Sequence, residues 1–364
     1  MPARLPVEVS APGKLILMGE HAAVYGRPAL VAALDLRLHA RLVPRFDDEV
    51  HLDLPALGCG ETTSWKALRI YATVARLRWD RYAEHPAPAA FQVVRGEDPA
   101  HVVKVALGET AEALGDALPS GGAVLRIESR LPIGSGFGSS AATAIAVAGA
   151  LLAFAGEEPE AERIAPIALE VERRQHGLPS GVDGATVLAG GVLAARRLAS
   201  GALDVEPIEV LSGLLHHLRV YDTGTPAEST GAVVAAVRAR RESDPGRHEQ
   251  TLDRMEEATR ALRAELENVG TDPDRVLQLI REHEACLEEL GVVPEEVRAL
   301  VRQVEARGGA AKISGAGALT GPGAGSLLVY HPDPGQAERW DFLRALRFHP
   351  VHLGAPGFRR EEPG

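Results

Sequence analysis

The segment Pro132-Ile-Gly-Ser-Gly-Phe-Gly-Ser-Ser140 sets three glycines and three serines directly ahead of the apolar run 141–155. Read as a loop opening a helix, it gathers backbone N–H groups that lack intrahelical acceptors at the positive end of the macrodipole, which suits a polyphosphate. Glycines let the backbone approach such a ligand, and serine hydroxyls add donors or a metal ligand. The pattern GxxxxGK[ST] is absent, which disfavours an ordinary P-loop. On its residues alone the segment can also be a plain Gly-rich turn. Lys14 precedes the apolar run Leu15–Met18, and a lysine at the start of a buried strand needs a partner; a surface position after a Pro12-Gly13 turn is the alternative. Glu172 sits among Glu170, Arg173 and Arg174, as on a solvated helix face, and Asp183 follows Pro-Ser-Gly-Val as turn carboxylates do.

Three more stretches accompany the loop: Ala11-Pro-Gly-Lys-Leu-Ile-Leu-Met-Gly-Glu-His-Ala-Ala-Val-Tyr-Gly26, His176-Gly-Leu-Pro-Ser-Gly-Val-Asp183, and Lys312-Ile-Ser-Gly-Ala-Gly-Ala-Leu-Thr-Gly-Pro-Gly-Ala-Gly-Ser326. In this order the four resemble the motifs of the GHMP small-molecule kinases. Gly19–Gly26 and His176–Asp183 are most similar to the mevalonate kinase branch of that family. Phe137 replaces the usual Leu of the second motif. The third motif departs further: Gly315, Ala316 and Gly317 keep its start, but the loop is longer and carries Leu319 and Pro322.

The resemblance implies an ATP-dependent kinase that uses Mg2+ and phosphorylates a small-molecule hydroxyl, mevalonate first among the acceptors. Another GHMP kinase, acting on phosphomevalonate, on the 3-hydroxyl of mevalonate or on a sugar, is the alternative, and a non-catalytic metabolite sensor of the same fold is a more distant one. By the same resemblance Asp183 and Lys14 form the catalytic pair, and Ser140 and Glu172 hold Mg2+. Pro132, Gly134, Ser135, Gly136, Gly138, Ser139, Ser140 and Ala141 bind the nucleotide. Lys14, Glu20, His21, Asp183, Thr223, Thr230, Gly315, Ala316 and Gly317 face the substrate. His21 is expected as a hydrogen-bonding contact rather than a base. A capping role explains Ser229 or Thr230 equally well. His216, His217, His283, Arg238, Arg240 and Arg241 match no motif, so solvated or structural roles are expected of them.

These residues need elements to hold them. A strand, a Gly-containing turn and a β-rich stretch over 27–42 suggest a hairpin at a sheet edge. Apolar spacing predicts helices over 65–77, 100–118 and 161–175, with a buried helix from about 141. Strands are expected at 123–127, 192–195, 218–221, 310–313 and 326–330, an irregular stretch at 199–209, charged helices between 231 and 306, and a polar tail at 359–364. The resemblance implies an α+β chain of two lobes, 1–200 like ribosomal protein S5 and 201–364 ferredoxin-like, with the active site between them. Homodimers occur in the family, although no segment here marks an interface.

With 45% hydrophobic and 24% charged residues over 364 positions, the chain can bury two cores. A net charge of −11 argues against nucleic acid or an anionic membrane as partner, so any phosphate must be bound locally. Cys59 and Cys286 are far apart and read as reduced thiols. No apolar stretch of the signal-peptide kind opens the sequence, and the run 141–155 is short of the roughly 20 residues a spanning helix needs, so a cytoplasmic protein is expected.

Overall fold

The computed structural model describes residues 5–84, 93, 94, 96–132, 134–177 and 179–362; Ile133 of the Gly/Ser loop, Leu178 of the 176–183 turn and the first four residues lie outside them. Two sheets organise an α+β fold. The first contains β1 (Val7–Met18), β2 (Ala29–Pro44), β3 (Val50–Leu54), β4 (Cys59–Thr63), β5 (Ala123–Ser129), β6 (Val192–Arg197), β7 (Leu203–Ile208) and β12 (Arg359–Arg360). Its order is β12-β1-β2-β5-β3-β4, with β6 joined to β2 and β7 to β6. The second runs β11-β8-β10-β9, from β8 (Leu218–Asp222), β9 (Ala310–Ser314), β10 (Ser326–Tyr330) and β11 (Arg347–His349).

Pro12-Gly13 does not make the turn that the surface alternative for Lys14 required. Strand β1 continues through it with a shift of register against β2, so Lys14 lies inside a strand rather than after a bend. A bulge absorbs the missing proline N–H and re-aims the residues that follow. The reversal falls at 19–28, where a short 3-10 turn, Ala22–Tyr25, joins the two strands. The hairpin is also not a sheet edge, because β12 flanks β1 while β5 and β6 flank β2. The stretch near 199–209 is regular after all: β7 pairs with β6 and extends the first sheet past residue 200.

Helices α1 (Trp65–Glu84), α2 (His101–Leu114), α3 (Ser139–Phe154), α4 (Ala161–His176) and α5 (Val182–Ala189) cover the first sheet. The expected apolar helix is α3, which begins two residues early and is buried from Ala144 to Phe154. A helix apolar all round can sit only in the centre of a lobe, and α3 packs on β1, β2 and three neighbouring helices. Helices α6 (Thr230–Ser243), α7 (Pro245–Glu267), α8 (Pro273–Glu289) and α9 (Glu295–Glu305) accompany the second sheet. Among the described residues no helix is long and apolar enough to cross a membrane.

The start of the expected polar tail, Arg359–Glu361, is instead built into the first sheet, and its last two residues lie outside the described ones. Val9 and Ser10 pair with Arg360 and Arg359, and the Arg37 guanidinium donates to the carbonyls of Pro356 and Gly357. Phe358 presses its ring on α3 at Gly149, where a Cβ would lie 2.3 Å from it.

Candidate functional site

Strand β1 delivers Lys14, only 4% exposed, to the mouth of the Gly/Ser loop. Its backbone N–H donates to the Phe137 carbonyl at 3.0 Å, and its stem lies over Gly138, where a Cβ would stand 2.7 Å from Cγ. Gly138 also has φ +73°, so both space and conformation demand glycine. Lys14 Nζ lies 3.1 Å from Asp183 Oδ2, with the Asp183 side chain 34% exposed and therefore open to a ligand. Asp183 is not a turn residue: it occupies the first turn of α5, just after Gly181 at φ +81°.

Glu172, on α4, is 3% exposed, and its Oε1 has no hydrogen-bond partner. Burial and then the Asp183 carboxylate push it up to about 8, against the pull of Lys14 and the Gly184 N–H. A buried acid beside a second carboxylate is short of positive charge, so the residues present fit a divalent cation. Ser140 opens α3, and its Oγ stands 2.8 Å from His176 Nε2 at the end of α4, which fixes the hydroxyl's direction. Among the described residues no cluster of three or more His, Cys, Asp or Glu could hold a metal, which leaves the remaining ligands to phosphate oxygens and water.

Gly134, Gly136 and Gly138 all take left-handed φ, of 81°, 82° and 73°. The loop they form ends at Ser139, Ser140 and Ala141, whose N–H groups open α3 without intrahelical acceptors. Ala141 is buried, so only its backbone can serve a ligand. Ser135 departs from expectation. It is 3% exposed and its hydroxyl donates to Asp222 Oδ2 at 3.0 Å, away from the role of phosphate donor.

The third glycine stretch meets the second. A Cβ on Gly136 would lie 3.0 Å from the Ser314 carbonyl, and Gly315, at φ +106°, packs against Gly136. Gly317 lies on the Val292 carbonyl, and the Ala316 carbonyl is 2.9 Å from His21 Nε2. His21 is buried and held down at about 4 by desolvation, so it is neutral near pH 7 and donates to Ala316. The loop around Leu319 is held by Glu228, which accepts from the Leu319 N–H and the Thr320 hydroxyl. Thr223 Oγ1 donates to the Gly325 carbonyl and accepts from the Ala324 N–H, so it braces this loop. Thr230 begins α6 and is exposed, and the helix is capped by Ser229.

Glu20 is turned inward. Its Oε1 pairs with Lys312, itself fully enclosed, and Lys312 Nζ also donates to the Ile313 carbonyl at 2.7 Å. Beside them His283 Nε2 accepts the Gly19 N–H at 3.0 Å, and Glu284 Oε2 accepts the Ile313 N–H at 3.0 Å. Sequence reasoning missed this cluster as well as His176 and Asp222. The one local signal was Lys312, a charge in the apolar run 310–313.

Burial raises Glu284 from 4.5 to about 8, partly opposed by the Ile313 N–H and Lys312. Below about pH 4.5 the acid is neutral folded or unfolded; between 4.5 and 8 only the unfolded chain releases the proton. Stability therefore falls as pH rises through that window, by at most about 1.4 kcal/mol per unit. Glu284→Gln should flatten the decline, melting higher than the parent at pH 8 and about equally at pH 5. Parallel pH profiles for the two proteins in thermal denaturation would refute the assignment.

Comparison with known proteins follows the same lines. The model of the GHMP kinases N terminal domain matches residues 101–208. The chain is 34% identical to the mevalonate kinase of Bos taurus over 64% of its own length and 62% of that enzyme's, and the first curated relatives are matched over about two thirds of their length or less. It is 32% identical to the mevalonate kinase of Thermococcus onnurineus over 72% of each chain. The solved Methanococcus jannaschii mevalonate kinase superposes with a TM-score of 0.74 at 20% identity, over 97% of this chain and 99% of that one.

Proposed function

The chain belongs to the mevalonate kinase family of the GHMP kinases, and from that membership we propose that it transfers the γ-phosphate of ATP to the 5-hydroxyl of mevalonate. The observation that carries the reading is the Lys14–Asp183 pair, its lysine buried and its carboxylate partly open to solvent, beside the Gly/Ser loop and the buried Glu172.

Phosphoryl transfer asks a protein chiefly for alignment and charge neutralisation. In this reading the N–H groups of Ser139, Ser140 and Ala141 and the backbone of Gly134–Gly138 hold the polyphosphate. The Asp183 carboxylate accepts the proton of the acceptor hydroxyl, and Lys14 keeps that carboxylate ionised and favours the developing alkoxide. Ser140 and Glu172 are the residues that would hold Mg2+, which when bound neutralises phosphate charge. His176 sets the direction of the Ser140 oxygen. His21 anchors the third glycine loop by donating its one ring N–H to the Ala316 carbonyl, and it is uncharged near neutral pH. In this reading each sheet is the core of one lobe, the first running through β7 (Leu203–Ile208) and regained at β12, with the site between them.

The test is coupled ADP release from ATP and Mg2+ with mevalonate, 5-phosphomevalonate, galactose or homoserine. Turnover with mevalonate alone is expected. Preference for another acceptor would move the substrate assignment, and nucleotide binding without any turnover would favour a sensor.

A further inference from the structure

We propose that Asp222 is a positioning residue for the phosphate loop: through the Ser135 hydroxyl it latches that loop to the second sheet and so sets the affinity for nucleotide. The proposal rests on the kinase reading above. Asp222 ends β8, and both its oxygens are engaged, Oδ2 by Ser135 Oγ at 3.0 Å and Oδ1 by the Gly224 N–H at 2.8 Å. His349, from the neighbouring β11, brings Nε2 to 3.9 Å from Oδ2 and sets its ring edge-on to Phe137 at 4.9 Å. The Ser326 hydroxyl, at the start of β10, donates to the Ser135 carbonyl. Residues 135 and 137 are thus gripped from three strands of the second sheet, while Lys14 holds the Phe137 carbonyl from the first.

The glycines give the reason such a latch matters. Three of five residues from Gly134 to Gly138 lack a Cβ and sit at left-handed φ, so the loop has little conformational preference of its own. Its N–H groups point usefully only if another part of the chain fixes them, and ordering them at the moment of binding would weaken affinity. Ser135 is the one residue between Gly134 and Gly136, and its side chain leads to Asp222 rather than toward a ligand. Hydrogen bonds to a charged group are the stronger kind, which suits a latch between lobes.

The experiment measures the dissociation constant of Mg·ATP by calorimetry, without acceptor, for the unmodified protein, Ser135→Ala, Asp222→Ala, Asp222→Asn and the double alanine variant, alongside melting temperature. Each alanine change should weaken ATP binding roughly tenfold. The double variant should bind no worse than Asp222→Ala alone, because the Ser135–Asp222 bond is already lost in it. Asp222→Asn keeps one acceptor oxygen for the Gly224 N–H and turns an amide N–H toward the Ser135 hydroxyl, which can accept it, so it should lose less affinity than Asp222→Ala. In turnover the KM for ATP should rise while the KM for acceptor stays. ATP binding within twofold of the parent in the alanine variants, or additive losses in the double, overturns the latch alone. Failure of the unmodified protein to bind ATP overturns the kinase reading and the latch with it.

Discussion

Asp183→Asn should lower kcat by roughly 10²–10⁴-fold with little change in melting temperature, the range expected when a positioned general base is removed. The substitution keeps the side chain's shape and its place in the first turn of α5, so loss of activity would report loss of the charge. Lys14→Met should fall in a similar range, since the ammonium 3.1 Å away holds the carboxylate ionised and favours the alkoxide formed in the same step. The informative measurement is the double variant. Groups that act as one unit are not additive, so Lys14→Met with Asp183→Asn should be about as slow as the worse single change. Multiplied losses would mean that the two residues serve separate steps, and near-normal turnover in Asp183→Asn would remove it from the chemistry.

The second large effect is on stability. Lys312→Met leaves Glu20 enclosed without its cation, beside Glu284, in a place where desolvation already raises both acids. Breaking a buried pair from one side costs on the order of 3–5 kcal/mol, a large part of the total for a domain. A fall in melting temperature of roughly 5–10 °C is expected. Glu20→Gln combined with Lys312→Met should recover much of the loss, because replacing both partners removes the stranded charge. A combined variant melting below Lys312→Met would show that the pair itself, not the orphaned carboxylate, holds the segment.

Residues Gly19–His21 depend on that cluster. His21 has φ 58°, the one positive φ outside glycine among the described residues, and the buried Gly19–His283 bond together with its own ring's bond to the Ala316 carbonyl holds it there.

What could be read from the sequence were features carried by local pattern. The Gly/Ser loop announces its helix because glycine spacing and an apolar run are neighbours in the chain, and the start of α3 was off by only two residues. Lys14 was legible from the apolar residues after it. What escaped was settled by partners far away in sequence. Ser135 looks like a phosphate donor until Asp222, 87 residues on, takes its hydroxyl. Glu20 reads as a substrate contact beside His21, but Lys312, 292 residues away, turns it inward. His283 and Glu284 occupy the apolar stripe of their helix, between Ile280 and Leu287, but their polar types hid a burial that the spacing allows, and Pro12-Gly13 carries the strongest turn signal in a strand whose partners override it.

The return of residues 353–360 to the first sheet has a consequence for how the molecule is made. Strand β12 and the contacts of Pro356, Gly357 and Phe358 close a layer that opened with β1, and everything from β8 to β11 is threaded between. The second lobe is therefore an insertion tethered at both ends. On the ribosome the first lobe can collapse early around α3, but it cannot be finished until residues 353–360 have emerged. Until then one flank of β1 stays unpaired, the kind of open strand edge that invites wrong partners.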